Sequence, residues 1–181
     1  MMQQATSAEV SAKIKALLRD VPDFPKKGII FKDITPLLAS PEVFTEMVRH
    51  IAAQYRGQGI TKVLGIEARG FLLAAPVAME LGAGLVPVRK KGKLPYKTIS
   101  ASYALEYGTD TLEMHEDAVR PGEKVLIVDD VLATGGTAAA VCELVEKLRG
   151  SVAGIAMLIE LEFLKGRAKL PGKEVYSLIK Y

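Results

Sequence analysis

Two adjacent carboxylates end an apolar run in this sequence, and a segment with the chemistry of an anion site follows them. Asp129 and Asp130 come directly after the four apolar residues Val125–Val128. The next segment reads A-T-G-G-T and leads into a helical pattern; it consists of Ala133, Thr134, Gly135, Gly136 and Thr137. Its glycines let the backbone turn several N–H groups toward one point, and the positive end of the following helix adds to their attraction for a phosphate. The segment therefore predicts a phosphate-binding loop, to which the two threonine hydroxyls add donors.

The two carboxylates would repel a phosphate, so they must meet a different part of the same ligand. Carboxylates only accept hydrogen bonds, and two adjacent ones are well suited to two adjacent sugar hydroxyls. With the sugar at Asp129 and Asp130 and the phosphate at the loop, repulsion is avoided by distance. The ligand predicted from these residues is a ribose 5-phosphate group.

Other interpretations of this run are weaker. A Walker loop requires Lys and then Ser or Thr after its second glycine, and a dinucleotide fingerprint requires G-x-G-x-x-G; neither pattern is present. The plainest alternative is that the acids only end a strand and the glycines only begin a helix. That interpretation would suffice for the acid pair alone, but it is disfavoured for the whole run Val125–Thr137.

The elements that would position these residues alternate between short apolar runs and helical patterns. Apolar runs predict strands at Lys62–Glu67, Leu85–Arg89, Lys124–Asp130 and Ser151–Glu160. Apolar residues at helical spacing predict helices capped by Ser7 and by Ser40, a helix at 70–82, and a helix that starts at Gly136 and has Gly150 as its C-cap. This alternation predicts an α/β fold with a mostly parallel central sheet and helices on both faces. In such sheets ligands bind beyond the carboxyl ends of the strands.

The segment Lys90–Val119 interrupts that alternation. Its first part is basic and contains glycine and proline, whereas its second part alternates Leu112 and Met114 with polar residues, as an exposed hairpin arm would. Long segments of this kind inside a compact domain are commonly functional. We expect a lid here.

Composition excludes several classes of protein. The chain has 181 residues, of which 49% are hydrophobic and 25% charged, with a net charge of only +3, so a single domain is expected and nucleic-acid binding is not. Its only cysteine, Cys142, allows no internal disulfide and suits a reducing compartment. No run of 18 apolar residues and no signal-like start is present, which favours a cytoplasmic protein without a membrane segment.

The run Val125–Thr137 resembles the 5-phosphoribosyl 1-diphosphate signature of the type I phosphoribosyltransferases. Further stretches resemble the adenine-specific members of that family, beginning near Val21, where many members carry phenylalanine. They read VPDFP, KKGIIFKDITPLL, GIEARGF, RKKGKLP, SYALEYG and IELEFLKGR. The resemblance implies the type I phosphoribosyltransferase fold in one domain, 1–181, with an N-terminal base-binding hood at about 1–40 and a flexible catalytic flap at about 95–110.

The activity that the resemblance implies is a step of purine salvage. Phosphoribosyl would pass from 5-phosphoribosyl 1-diphosphate to N9 of adenine, giving AMP and pyrophosphate. Mg²⁺ would be bound mainly through the phosphoribosyl donor, so no protein ligands are assigned to it. The family also implies a homodimer.

The same resemblance assigns the remaining site residues. Adenine would be bound by Ile30, Phe31, Lys32 and Leu161, with Phe31 and Leu161 on its two faces; without the resemblance, Ile30 and Phe31 would be taken for core residues. Pyrophosphate would be bound by Arg69, Arg89, Lys90 and Lys93, although a solvated basic loop is the plain alternative. Glu106 and Arg69 would be catalytic, with Glu106 exchanging a proton with the purine ring.

Two competing functions are open at this point. One is a phosphoribosyltransferase for a six-oxopurine, which should need base contacts other than those around Phe31. The other is a ligand-sensing regulator of nucleic acid, which is disfavoured because the first helix lacks a partner helix and strong basic character.

Overall fold

The computed structural model describes residues 6–104 and 108–181. The described residues fall into two compact units, an N-terminal one that ends at Ile51 and a C-terminal one that begins at Ala52. The predicted single domain stays a prediction.

The N-terminal unit consists of helices and one small hairpin. Its elements are α1 (Ser7–Leu17), β1 (Arg19–Pro22), β2 (Ile30–Asp33), α2 (Thr35–Leu38) and α3 (Pro41–Ala53), and β1 pairs with β2 in an antiparallel sheet. The cap of α1 is Thr6 and not Ser7 as predicted. The Thr6 hydroxyl accepts from the Glu9 amide and the Glu9 carboxylate accepts from the Thr6 amide, so a reciprocal capping box sets the helix start one residue earlier.

The C-terminal unit is built on one seven-stranded sheet. Its strands are β3 (Ile60–Ile66), β4 (Gly84–Lys90), β5 (Thr98–Ala104), β6 (Thr109–His115), β7 (Lys124–Leu132), β8 (Ser151–Glu160) and β9 (Val175–Lys180), in the order β5-β6-β4-β3-β7-β8-β9. Its helices are α4 (Arg69–Leu81) and α5 (Gly136–Lys147), with two 3₁₀ turns at Glu162–Leu164 and Gly166–Lys169. Strands β4, β3, β7, β8 and β9 are parallel, which confirms the mostly parallel sheet.

The two long helices of this unit cover opposite faces of the sheet. On β3, Gly65 faces α4 so closely that a Cβ there would lie 2.8 Å from the Ala74 Cβ. Its neighbours Leu64 and Ile66 point the other way, into the core that contains Val141 and Leu144 of α5. Because successive residues of a strand face opposite sides, helices lie on both faces, as predicted.

The interrupting segment forms the antiparallel edge of the sheet. Strands β5 and β6 pair with each other, and β6 joins β4 through Arg89 and Lys90. The expected hairpin is present, but it is not an exposed arm, because Leu112 and Met114 are fully buried in the core beside α5. The alternation in β6 marks one face packed on a helix and one polar face.

Candidate active site

Three neighbouring parallel strands bring most of the predicted site residues to one edge of the sheet. Strand β3 ends just before Glu67 and Arg69, β4 ends at Lys90, and β7 carries Asp129 and Asp130. The order β4-β3-β7 makes the three strands adjacent, and all of them run in the same direction. Their carboxyl ends therefore share one edge, which is where ligands bind in sheets of this type.

The acid pair is buried and lies against Arg69. Asp130 is only 5% exposed, and Arg69 Nε lies 2.7 Å from its Oδ2, although off the direction of a hydrogen bond. The amide of Asp130 donates to Asp129 Oδ1 over 2.9 Å. Gly70 makes room for that carboxylate, since a Cβ at Gly70 would lie 2.7 Å from Asp129 Oδ1. The predicted pyrophosphate ligand Arg69 is thus brought to the predicted ribose ligands.

Burial makes both of these carboxylates hard to ionise. Burial, followed by the charge of Asp130, raises the pKa of Asp129 well above its usual range. Burial also raises the pKa of Asp130, against the opposing charge of Arg69. A ligand that donates hydroxyl hydrogens to this pair would supply the hydrogen bonds that water supplies to an exposed acid.

The predicted phosphate loop connects β7 to α5. Gly135 has φ +78°, a left-handed conformation that favours glycine, and it precedes Gly136, the first residue of α5. Because the helix starts at Gly136, its N-terminus and therefore its positive end lie at the loop. Thr134 is exposed and Thr137 partly so. The structure thus gives the five predicted residues the strand, loop and helix arrangement that an anion site requires.

The predicted pyrophosphate residues of β4 are organised by two acids that the sequence reasoning missed. Glu67 accepts hydrogen bonds from Lys93 Nζ at 2.5 Å, from the Lys90 amide at 3.1 Å and from Arg89 Nε at 3.3 Å. Lys90 Nζ lies 3.1 Å from Asp110 Oδ2. The three predicted cations therefore stand together at this edge, Arg89 and Lys93 on one acid and Lys90 on the other.

The Glu67 carboxylate is strongly stabilised in its charged form. Burial by itself raises its pKa, but the hydrogen bonds from Lys93, the Lys90 amide and Arg89 outweigh burial and lower the pKa to about 2. Glu67 lies two residues before the predicted Arg69 in EARG and directly after the last residue of β3, and that position beyond a strand end was the available signal.

Tyr103 is a further residue that the motif reasoning passed over. Its hydroxyl donates to Asp110 Oδ2 over 3.3 Å. Tyr103 belongs to β5, the first strand of the predicted flap region. The predicted flap is thus connected to Lys90 through Asp110.

The predicted adenine residues divide between the two units. In the N-terminal unit Ile30 is 59% exposed, so the core interpretation of that side chain is wrong; it lies on the two-stranded hairpin of β1 and β2. Phe31 packs edge-on against Phe24, with ring centroids 5.1 Å apart, and Lys32 Nζ lies 2.7 Å from Asp20 Oδ1.

Leu161, in the C-terminal unit, directly precedes the first 3₁₀ turn as its N-cap residue. Its amide donates to the carbonyl of Leu132 over 2.9 Å. Glu106, the predicted proton-transfer residue, lies outside the described residues.

No group of three or more His, Cys, Asp or Glu side chains suited to a metal ion occurs within 6–104 and 108–181. Over the same residues, no helix has the length and apolar character needed to cross a membrane.

The model of the phosphoribosyl transferase domain family matches residues 36–179. A curated adenine phosphoribosyltransferase from Acidothermus cellulolyticus is 57% identical over 96% of this chain and 98% of its own length. This chain belongs to the adenine phosphoribosyltransferase family. The predicted family and fold are thereby confirmed.

Solved adenine phosphoribosyltransferases share the fold over nearly the whole chain. The Rhodothermus marinus enzyme has a TM-score of 0.92 and 53% identity, covering 96% of this chain and 99% of its own. The Saccharomyces cerevisiae enzyme, solved with an imino-altritol bisphosphate and adenine, has a TM-score of 0.90 and 40% identity, covering 94% and 99%.

Proposed function

We infer that this chain transfers the phosphoribosyl group of 5-phosphoribosyl 1-diphosphate to N9 of adenine, releasing pyrophosphate and forming AMP. The observation that carries this function is the near full-length identity to adenine phosphoribosyltransferases, in a chain whose acid pair and glycine loop stand at the carboxyl end of β7. In the reaction the C1′–oxygen bond to diphosphate breaks and the N9–C1′ bond forms. The diphosphate leaves with the electron pair, and the N9 proton is lost.

We propose that β7 and its loop bind the part of the donor that does not leave. Asp129 and Asp130 accept hydrogen bonds from the ribose hydroxyls, and the segment from Ala133 to Thr137 binds the 5-phosphate through amides and hydroxyls. The buried Asp130 Oδ2 supports this role because it has no directed hydrogen bond of its own. Fixed groups of this kind hold C1′ in place while the bonds to it change.

The leaving diphosphate is assigned to the cations at the ends of β3 and β4. Arg69, Arg89, Lys90 and Lys93 provide the charge, and the guanidinium groups can bind two oxygens at once. Glu67 keeps Arg89 and Lys93 side by side, so the ligand meets cations that are already close together. Stabilising the leaving group in this way lowers the barrier to breaking its bond to C1′.

The adenine-binding role of Ile30, Phe31, Lys32 and Leu161 rests on the family. The exposure of Ile30 is consistent with it, since an exposed apolar side chain is available to a flat apolar ligand. The Saccharomyces enzyme has been solved with adenine, which supports adenine as the base. Glu106 is proposed to exchange the proton with the purine ring.

Mg²⁺ is proposed as the cofactor, bound mainly through the donor's own oxygens. When bound, it would neutralise the diphosphate charge. Asp129 and Asp130 offer only oxygen atoms, which fit this metal, but their burial and spacing suit the ribose hydroxyls better.

A homodimer in the cytoplasm is also proposed. Large apolar side chains are exposed on α4 and β4, namely Leu72 at 51%, Met79 at 83% and Leu85 at 46%, which supports a protein contact there. Sedimentation should give twice the chain mass of 19.5 kDa, and a monomer would contradict the proposal. The buried free thiol of Cys142 suits the reducing cytoplasm.

The activity is tested with purified protein, donor, Mg²⁺ and each of adenine, hypoxanthine, guanine and xanthine, followed by nucleotide detection. AMP from adenine alone is the expected result. A six-oxopurine nucleotide would overturn the base assignment, and donor binding without any product would favour a regulator.

A further inference from the structure

We propose that Gly166 and Arg167 are positioning residues, which hold the phosphate loop in its binding shape from behind. They begin the second 3₁₀ turn, Gly166–Lys169, a segment outside the predicted binding and catalytic residues. The inference rests on the proposed role of the loop in binding the donor's 5-phosphate.

Gly135 of the loop and Gly166 of the turn meet backbone to backbone. A Cβ on Gly135 would lie 2.2 Å from the carbonyl oxygen of Gly166. Conversely, a Cβ on Gly166 would lie 2.2 Å from the Ala133 carbonyl oxygen and 3.1 Å from the Gly135 nitrogen. The contact leaves no space for a side chain on either residue, so the rear of the loop is closed by the turn.

Arg167 fixes the turn to the sheet. Its Nε and Nη2 donate to the two oxygens of Glu160 over 2.6 and 2.7 Å, and its Nη1 donates to the Val175 carbonyl over 2.9 Å. Glu160, the last residue of β8, is only 3% exposed. A two-point pair with a buried carboxylate sets the orientation of the guanidinium, and with it the position of the adjoining Gly166.

The strand ends complete this arrangement. Leu132, the last residue of β7, pairs in register with Glu160, and its carbonyl accepts from the Leu161 amide. The loop that follows β7 and the turn that follows β8 therefore start from one fixed point and meet again at the two glycines. Amides that must point at a phosphate are held without a side chain touching the ligand.

Substituting Gly166 should therefore weaken binding of the donor much more than binding of adenine. The Cβ of Gly166→Ala has to displace the Ala133 carbonyl or the Gly135 amide, both of which are backbone groups of the loop. Because a misplacement of about 1 Å can cost about a hundredfold, we expect the KM for the donor to rise about tenfold or more, with the KM for adenine within about twofold.

The matched control is Gly154→Ala on β8. There a Cβ would lie 2.5 Å from the Tyr55 ring, a comparable clash that does not involve the loop. Gly154→Ala should lower the melting temperature and leave the donor KM unchanged. If both variants lower the melting temperature but neither changes the donor KM, the turn is only structural and the inference is wrong.

Arg167→Lys tests the same idea without adding an atom to the contact. Arg167→Lys keeps a positive charge beside Glu160 but loses the two-point pair, so we expect the donor KM to rise less than in Gly166→Ala. Arg167→Gln also loses the charge, so the donor KM should rise more than in Arg167→Lys. An unchanged donor KM in both Arg167 variants would overturn the role of Arg167, even if Gly166→Ala failed to fold.

Thr137→Val separates this inference from the function on which it rests. If Thr137→Val raises the donor KM and Gly166→Ala does not, the loop binds phosphate but the turn does not position it. If Thr137→Val has no effect on the donor KM, the proposed phosphate-binding role of the loop is contradicted, and the inference about the turn loses its basis.

Discussion

The acid pair on β7 and the single acid Glu67 after β3 lie on neighbouring strands, yet their surroundings act on them in opposite directions. Asp129 has a raised pKa, because it is buried beside another carboxylate. Glu67 has a pKa lowered to about 2, because hydrogen bonds from two cations and an amide outweigh its burial. Charge is therefore disfavoured where the proposed ligand is a sugar and favoured where cations must be held together.

The two regions also differ in what holds them. The proposed phosphate site is shaped by backbone, with Gly135 at a positive φ and Gly70 close to Asp129. The proposed diphosphate site is shaped by charged side chains that share Glu67 and Asp110. We expect the first region to tolerate almost no added volume, and the second to depend on charge more than on shape.

Asp129→Asn should have the largest effect on activity. Ribose hydroxyls that donate to Asp129 would stabilise its charged form in the complex. Each hydrogen bond of that kind contributes about 1.5–3 kcal/mol, so kcat/KM for the donor should fall about tenfold to hundredfold. The melting temperature at neutral pH should rise, because a poorly ionisable buried acid is replaced by a neutral amide. The exposed acid Asp117 gives the control Asp117→Asn, which should change neither quantity. Full activity in Asp129→Asn would refute the ribose assignment.

Glu67→Gln should weaken the cluster of cations around Glu67, and it should lower stability where Asp129→Asn raises it. Without the carboxylate, Arg89 and Lys93 repel each other and separate, so the donor KM should rise about tenfold, as for one lost charged contact. The melting temperature at neutral pH should fall. Glu143→Gln, at an exposed helical ion pair with Lys147, is the matched control. A lower donor KM would mean that Glu67 competes with the diphosphate for the cations.

Tyr103→Phe should have a smaller effect, because it removes neutral or weak hydrogen bonds. The hydroxyl donates to Asp110 over 3.3 Å, and a weak bond of this kind contributes about 0.5–1.5 kcal/mol. We expect kcat/KM to fall about threefold. Tyr176→Phe, on the opposite edge strand β9, serves as the control. A loss as large as that of Asp129→Asn would place Tyr103 in contact with the ligand.

The contributions of Glu67 and Asp129 to stability should change in opposite directions with pH, and each should change the melting temperature by a few degrees. Glu67 has a lowered pKa, so its contribution is present above its ordinary value of 4.5 and is lost as pH falls toward about 2. The melting-temperature gap between wild type and Glu67→Gln should close over that range.

Asp129 should behave in the reverse way in the same scans. Because the pKa of Asp129 is raised, its contribution to stability is fully present below its ordinary pKa of 3.8 and is lost as pH rises through the raised pKa. The advantage of Asp129→Asn should therefore grow from pH 4 toward neutral. If the melting temperatures of Glu67→Gln and Asp129→Asn changed with pH in the same way, the surroundings of Glu67 and Asp129 would not differ in their effect on pKa.

The regular elements of the sheet were predictable because their signals are local. The predicted strand Ser151–Glu160 agrees with β8 at both ends, and continuous apolar runs indicated the parallel strands. The hairpin of β1 and β2 and the edge strand β9 were not predicted, since short, partly exposed strands have little hydrophobic pattern. The alternation of Leu112 and Met114 with polar residues correctly indicated a strand, but such a pattern does not tell whether a helix covers the apolar face of that strand.

The site divides along the same line. The residue types of Asp129, Asp130 and the A-T-G-G-T segment were enough to predict, by chemistry alone, a sugar site beside a phosphate site. Only the tertiary structure decided that Glu67 gathers Arg89 and Lys93, that Arg69 meets Asp130, and that Gly166 closes the rear of the loop. The physical reason is that a binding motif is a run of neighbours in sequence, whereas pKa shifts and close contacts arise between residues that only folding brings together.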